Sequence, residues 1–296
     1  MSNLALNLDD IFGGEPAANV ELVKCPPPGI YQDIPNKVYH SLPAVSNSYL
    51  SRFNKCPAAA KVAVEESANL ILGSATHAFV LEGEEAFLKE FAVAPYCDKR
   101  TKAGKETFAE FQDANKGKAV ITADEMQLII CMGNAVHAHP FASQLLKQGI
   151  SEQSVFWQDE ETGLYCKCRP DRIPSGNKGV LVDLKTTTDA SEHAFTRSIT
   201  VYGYHRQAAM YLDGVNAARR TNDTGDIQDF DAFAFIAVEK TEPYRVEVFV
   251  LLPDFIEAGR EDYKRLLRQE RTCRRNSFYP NYQNPGIIEL SKPGWL

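Results

Sequence analysis

Apolar and polar positions along this chain repeat with two different periods, and each change of period marks a new element. Residues 152–158, Glu-Gln-Ser-Val-Phe-Trp-Gln, alternate and predict the first strand of a core. From Leu164 to Thr187, two short β-branched or alternating runs flank Pro-Ser-Gly-Asn-Lys-Gly, a cluster of turn formers, which predicts an antiparallel hairpin. Residues 230–238 and 244–252 supply two more strands, separated by Glu-Lys-Thr-Glu-Pro, whose proline marks a turn. Helical spacing predicts helices from Ser46, over 70–81, 105–116, 123–148, 190–199 and 202–218, and Pro253 opens a last one running to about residue 275. The 70–81 stretch is apolar nearly all round and predicts a buried helix, in which Gly73 lets a neighbouring strand approach.

This order of elements predicts an α/β fold, a mixed sheet of about five strands flanked by helices, preceded by a helical N-terminal part. Residues 1–24 read as a flexible arm and 25–296 as a single domain, with a helical part (45–149), a core (150–275) and a loop-like tail (276–296). No internal repeat is visible.

The predicted hairpin carries the candidate chemistry. With its register centred on Asn177, Asp171 and Asp183 stand directly opposite, each six residues from the centre. Opposed Cβ atoms lie about 4.5 to 5.5 Å apart, close enough for two carboxylates to share one divalent cation. Lys185 returns to the same face about 7 Å along the strand, and Lys167 and Arg169 share it. The other parity, Leu164, Cys166, Cys168 and Pro170 with Val180, Val182 and Leu184, predicts one apolar, core-facing surface. A solvated sheet face is the plainer account of an isolated Asp-x-Lys. Here an Arg-Pro-Asp precedes it, and a helix with Tyr204, Gln207 and Tyr211 on one side follows.

Composition narrows the class. The 296 residues fit one large domain or two small ones, and 44% hydrophobic residues suffice for a core. No run of 18 apolar residues and no charged-then-apolar leader occurs, so the expectation is a cytoplasmic protein without a membrane span. Seven irregularly spaced cysteines argue against a disulfide framework, and Cys166-Lys-Cys168 reads as a buried, reduced pair.

A net charge of −7 is unusual for a polyanion binder, but local clusters matter more than the total. Lys99, Arg100, Lys102 and Lys105 form one basic group. Arg260, Lys264, Arg268, Arg271 and Arg275 form a helical stripe, for which a solvated face is the plainer reading.

Four motifs in order then resemble the PD-(D/E)xK nuclease superfamily, and within it the RecB-type nucleases. They are Gly73-Ser-Ala-Thr-His77, Asp171 in Cys-Arg-Pro-Asp-Arg-Ile, Asp183-Leu-Lys185, and Gln207-Ala-Ala-Met-Tyr211. The likeness is greatest to the RecE-type (exonuclease VIII) nuclease domain, through GSATHAFVLE, FAVAP, RTKAGK, CRPD and DLKTT over roughly residues 46–252, and lambda exonuclease is a more distant relative. The resemblance implies a restriction-endonuclease-like core. It also implies a Mg²⁺ or Mn²⁺ site of His77, Asp171, Asp183 and the Leu184 carbonyl. Lys185 would orient or deprotonate the attacking water, and Gln207 and Tyr211 would position substrate. Alone, His77 reads as a hydrogen-bonded core histidine; the resemblance favours ligation.

Glu152 reads as a surface strand end, with a supporting role in the acidic cluster left open. Ser46, Ser48 and Arg52 at a helix start cap it or seat a terminal 5'-phosphate, and Arg100, Lys102, Lys105 and Arg169 are candidate DNA contacts. His137 and His139 point apart on a helix and are discounted as a metal pair. Some RecB-type relatives hold an iron-sulfur cluster on clustered C-terminal cysteines; here only Cys273 stands there, so no cluster is expected.

The resemblance further implies a bacterial or phage-encoded 5'-to-3' exonuclease acting on double-stranded DNA ends, releasing mononucleotides and leaving 3' overhangs. A homo-oligomeric ring, trimer or tetramer, and a single-strand annealing protein as partner go with it. A RecB-type enzyme with single-strand or endonucleolytic habit is the alternative.

Overall fold

A computed structural model describes residues 24–62, 68–147, 149–175, 179–222, 228–282, 287, 289–292 and 294. The arm over 1–23, the hairpin tip 176–178, Trp295 and Leu296 lie outside the described residues. The chain runs β1 (Gly29–Tyr31), α1 (Asn36–Ser41), α2 (Asn47–Lys55), α3 (Ala68–His77), α4 (Glu84–Glu90), β2 (Phe91–Val93), α5 (Lys102–Ala114), β3 (Ala119–Ile121), α6 (Ala123–Ala138) and α7 (Pro140–Lys147). It continues β4 (Ile150–Ser151), β5 (Ser154–Gln158), β6 (Tyr165–Cys168), β7 (Arg172–Ile173), β8 (Val180–Thr187), α8 (Glu192–Tyr202), α9 (Tyr204–Asn222), β9 (Ala232–Glu239), β10 (Val246–Val250) and α10 (Pro253–Asn276).

The predicted mixed sheet is present, with five strands in the order β10-β9-β8-β7-β4. Its centre, β8 against β9, is parallel and its other pairs are antiparallel. Strand β8 has no solvent face. Leu181 on one side joins a core with Phe233, Phe235 and residues of α8, α9 and α10. Val182 and Leu184 on the other join Ile236 and residues of α3, α6 and α7. Central parallel strands covered on both faces read as near-continuous apolar runs, which fits Val-Leu-Val at 180–182 and leaves Asp183 as the exception.

The hairpin register holds and its extent does not. Arg172 pairs with Val182, so the pairing is centred on residue 177 as predicted. Only β7 makes that pairing; β6 belongs to a second, three-stranded sheet, β1-β5-β6. Pro170, with no N–H to give a ladder, stands where the chain passes from one sheet to the other. The single apolar face is therefore corrected: Leu164, Cys166 and Cys168 are buried with α9, opposite to Val182 and Leu184. Lys167 also leaves the face of Asp171. It is 4% exposed, and its Nζ donates to the carbonyls of Tyr39 and Leu42.

Three further expectations change. Of residues 152–158 only Ser154–Gln158 form a strand, β5, and it lies in the second sheet; Glu152 stands in the link from β4 of the main sheet. The 123–148 helix breaks before Pro140, because a residue preceding proline is pushed out of the helical region, and His139 is extended (φ −76°, ψ 120°). The 70–81 helix is buried on one side only, since Leu70 is 53% exposed, and nothing lies within 4 Å of where a Gly73 Cβ would be, so no strand approaches there. Beyond His77 it continues as a π-helical turn, Ala78–Glu82. Among the described residues no helix is long and apolar enough to cross a membrane.

Candidate active site

Four elements bring their side chains to one cleft. Helix α3 delivers His77 from its last position; the β4–β5 junction delivers Glu152; the β6–β7 link delivers Asp171; β8 delivers Asp183 and Lys185. Helix α9 covers them with residues spaced three and four apart, Tyr204, Gln207 and Tyr211, which share one helical face. The cleft has a volume of about 680 Å³, and its lining includes His77, Glu152, Asp171, Lys185, Gln207 and Tyr211.

Within it, ligand atoms of His77, Glu152 and Asp171 lie within 4.8 Å of one another. Asp171 Oδ2 accepts the Leu184 N–H and lies 3.3 Å from His77 Nδ1. Asp183 stands beside this group with its own partners: Gln207 Nε2 donates to one oxygen and the Lys185 ammonium pairs with the other. Glu152 is held at φ 53°, a left-handed conformation that a non-glycine residue adopts rarely and that is worth noting at a site.

The charges are unbalanced, and the protonation equilibria register it. Burial, and then the Asp171 charge, push Glu152 up to about 8. The same two causes raise Asp183 to about 6, against the pull of Lys185 and His77. Burial works against a charged His77, but the Asp171 carboxylate outweighs it and raises the imidazole to about 9. Lys185 follows the same pattern, burial opposing and Asp183 prevailing to raise it. The donor set thus suits a divalent cation on two grounds: one nitrogen and several carboxylate oxygens converge, and they carry more negative charge than the neighbouring cations offset.

Of the expected site residues, His77, Asp171, Asp183, Lys185, Gln207 and Tyr211 come together. Leu184 meets the site through its N–H. Ser46 and Ser48 line the same cleft, their hydroxyls 2.9 Å apart, while Ser46 also caps α2 through the Tyr49 N–H. Arg52 turns back on the Ser48 carbonyl and does not line it. Arg169 lines the cleft but is braced internally, bound to Ser154 Oγ and the Ile34 carbonyl and lying 4.2 Å from the Tyr39 ring centroid. Arg100 and Lys102 pair locally with Asp98 and Glu106, and with Lys105 they stand outside the cleft lining. Glu152 is the residue sequence reasoning undervalued. Its signal was a place at the head of an alternating run, which cannot reveal that β4 and β5 diverge around it.

A family profile described as "PDDEXK-like domain of unknown function (DUF3799)" matches residues 46–291. The chain belongs to that family. It is thereby placed in the PD-(D/E)xK nuclease superfamily, whose Asp, Asp-x-Lys pattern is met here by Asp171, Asp183 and Lys185. Among solved structures, this PDDEXK-like chain is similar to a protein from Eubacterium rectale described as a candidate exonuclease, with a TM-score of 0.56 and 14% identity over 89% of this chain and 96% of that one. At that identity the likeness speaks for the fold. No curated protein matches.

Proposed function

We propose that this PDDEXK-like protein is a metal-dependent deoxyribonuclease that degrades double-stranded DNA from its ends, 5' to 3', releasing 5'-mononucleotides and leaving 3' single-strand overhangs. The observation that carries the reading is the convergence of His77, Glu152 and Asp171 within 4.8 Å, beside an Asp183–Lys185 pair.

His77, Asp171, Asp183 and the Leu184 carbonyl would hold Mg²⁺ or Mn²⁺, with Glu152 in support; bound there, the ion supplies Lewis acidity at the phosphoryl oxygens and lowers the pKa of water. Lys185 orients the attacking water and offsets negative charge developing on the phosphate. Gln207 fixes the Asp183 carboxylate, and Tyr211 lines the path of the substrate strand. Ser46, Ser48 and the N–H groups at the α2 N-terminus would receive a terminal phosphate. The bond from phosphorus to the 3' oxygen breaks, water supplies the new oxygen on phosphorus, and the 3' oxygen leaves with a proton.

A ring of three or four copies around the duplex accounts for retention of a chain of net charge −7 on a polyanion, with topology in place of bulk attraction. The overhang would pass to a single-strand annealing protein. Linear duplexes labelled at one 5' or one 3' end, and closed circles, test this with and without Mg²⁺. Loss of 5' label first, intact circles and dependence on the ion are expected. Cut circles would instead favour the endonucleolytic alternative.

A further inference from the structure

The roles assigned above leave one side chain of the α9 face unused. Tyr204 is the first residue of the helix, one position after Gly203, whose φ of 70° ends α8 in the left-handed region. That left-handed backbone, which a side chain would strain, is what favours glycine where one helix gives way to the next. Three residues on, Gln207 binds the Asp183 carboxylate. Tyr204 meets the other half of the same ion pair: Lys185 Nζ lies 4.8 Å from its ring centroid and 5.7 Å from that of Phe235. The two rings are 5.4 Å apart, and Phe195 and Tyr202 flank Tyr204 at 6.0 and 5.6 Å.

A lysine chain is flexible along its four-carbon stem, and its compact ammonium accepts many placements around a single carboxylate. A ring face within about 6 Å attracts the ammonium through its quadrupole, most strongly where water is excluded. The Lys185 side chain is only 18% exposed. One helix face therefore holds both members of the pair, an amide on the carboxylate and a ring on the ammonium.

We propose that Tyr204 is a positioning residue whose ring, not its hydroxyl, fixes the Lys185 ammonium for the hydrolytic step. The consequence for catalysis rests on the nuclease reading; the ring contact does not. With ¹³C-labelled lysine, the Lys185 ε-methylene signal, assigned through Lys185→Arg, is expected upfield of the other lysines because of the ring current. The shift should survive Tyr204→Phe and collapse in Tyr204→Leu. A Lys185 signal at the ordinary lysine position in the unaltered protein overturns the proposal, whether or not the protein cleaves DNA.

In digestion of linear duplex with Mg²⁺, Tyr204→Phe should stay within about threefold of the parent, whereas Tyr204→Leu should lose about tenfold in kcat with KM nearly unchanged. Analogues of Tyr204→Phe carrying one, two or three ring fluorines keep the shape and drain the π face. Their kcat should fall stepwise; a flat series means that the ring only fills space and sinks the proposal. An unaltered protein that cleaves no DNA removes the nuclease reading, and the NMR signature still decides the contact.

Discussion

Along α10 three of the stripe's cations lie against anions, Arg260 against Asp213 and Glu257, Lys264 against Asp159, and Arg268 against Glu161, while Arg271 donates to the Glu161 carbonyl. A shallow cavity of about 480 Å³ runs over this stripe, lined by charged residues alone. In the cleft the pattern is reversed. Glu152, Asp171 and Asp183 crowd around one imidazole and one ammonium, and two of the three carboxyl groups are pushed well above their usual range. Both regions are rich in charge, and the sequence marks the α10 stripe more loudly. What separates them is satisfaction. Paired charges fasten α10 to α9 and to the β5–β6 loop, whereas crowded like charges weaken the fold unless something arrives to relieve them.

Substitutions in the two regions should therefore part company, the largest effect coming from the cleft. Asp171→Asn or Asp183→Asn is expected to lower release of acid-soluble nucleotide at least about 100-fold; Asp171→Asn should lose no thermal stability because one crowding charge is gone, whereas Asp183→Asn should lose some because it leaves the Lys185 ammonium without its carboxylate. Near-normal turnover in either variant would refute the site assignment.

The mirror-image effect belongs to Asp159, whose side chain is 1% exposed beside Lys264. Lys264→Ala strands that carboxylate and should cost about 3 kcal/mol in denaturant unfolding, leaving kcat unchanged. A variant as stable as the parent would place the stripe's pairing in doubt.

A third effect is linked to pH. Burial and Asp171 raise Glu152 to about 8 and Asp183 to about 6, and the Asp171 charge, outweighing burial, raises His77 to about 9. All three folded values exceed the unfolded ones, about 4 for the carboxyls and 6.5 for the imidazole, so the folded state holds extra protons. Without divalent ions, their contribution is complete below those unfolded values and is lost as pH rises through 6, 8 and 9 in turn. Mg²⁺ displaces the same protons. The stabilisation by a fixed Mg²⁺ concentration, read as a rise in Tm, is thus expected to grow from pH 6 to pH 9, and amounts to about 3 kcal/mol where that concentration is a hundredfold excess over Kd. An increment independent of pH would argue against ligation by these groups.

The smallest effect is expected at Arg268→Ala, where both partners are about half exposed. Stability should change by less than about 1 kcal/mol, and the salt dependence of DNA binding should be unaltered. A reduced salt slope would show that the stripe touches phosphate after all.

Much of the fold was legible because its signals are local. Ser46 caps α2 and Pro253 opens α10 where the spacing put them. The turn residues around 177 set a register that the Arg172–Val182 pairing obeys. Local signals could not say which strand pairs with which. Lys167 alternates with the residues around Asp171, yet three carbonyls near the end of α1 claim its ammonium. Glu152 looked like the end of a surface strand until two sheets diverged around it.

The sequence alone determined the chemistry available: two aspartates at a fixed separation about a turn, a lysine two residues on, a histidine in an apolar helix and a face carrying Tyr204, Gln207 and Tyr211. Tertiary structure alone decided which of those charges meet. Alternation and helical period specify the face a side chain takes within its own element, whereas pairing between elements depends on contacts distant in sequence. That is why Asp171 reached His77 and Glu152, Asp183 kept Lys185 and Gln207, and three cations of the stripe on α10 were paired by carboxylates of α9, of α10 itself and of the β5–β6 loop.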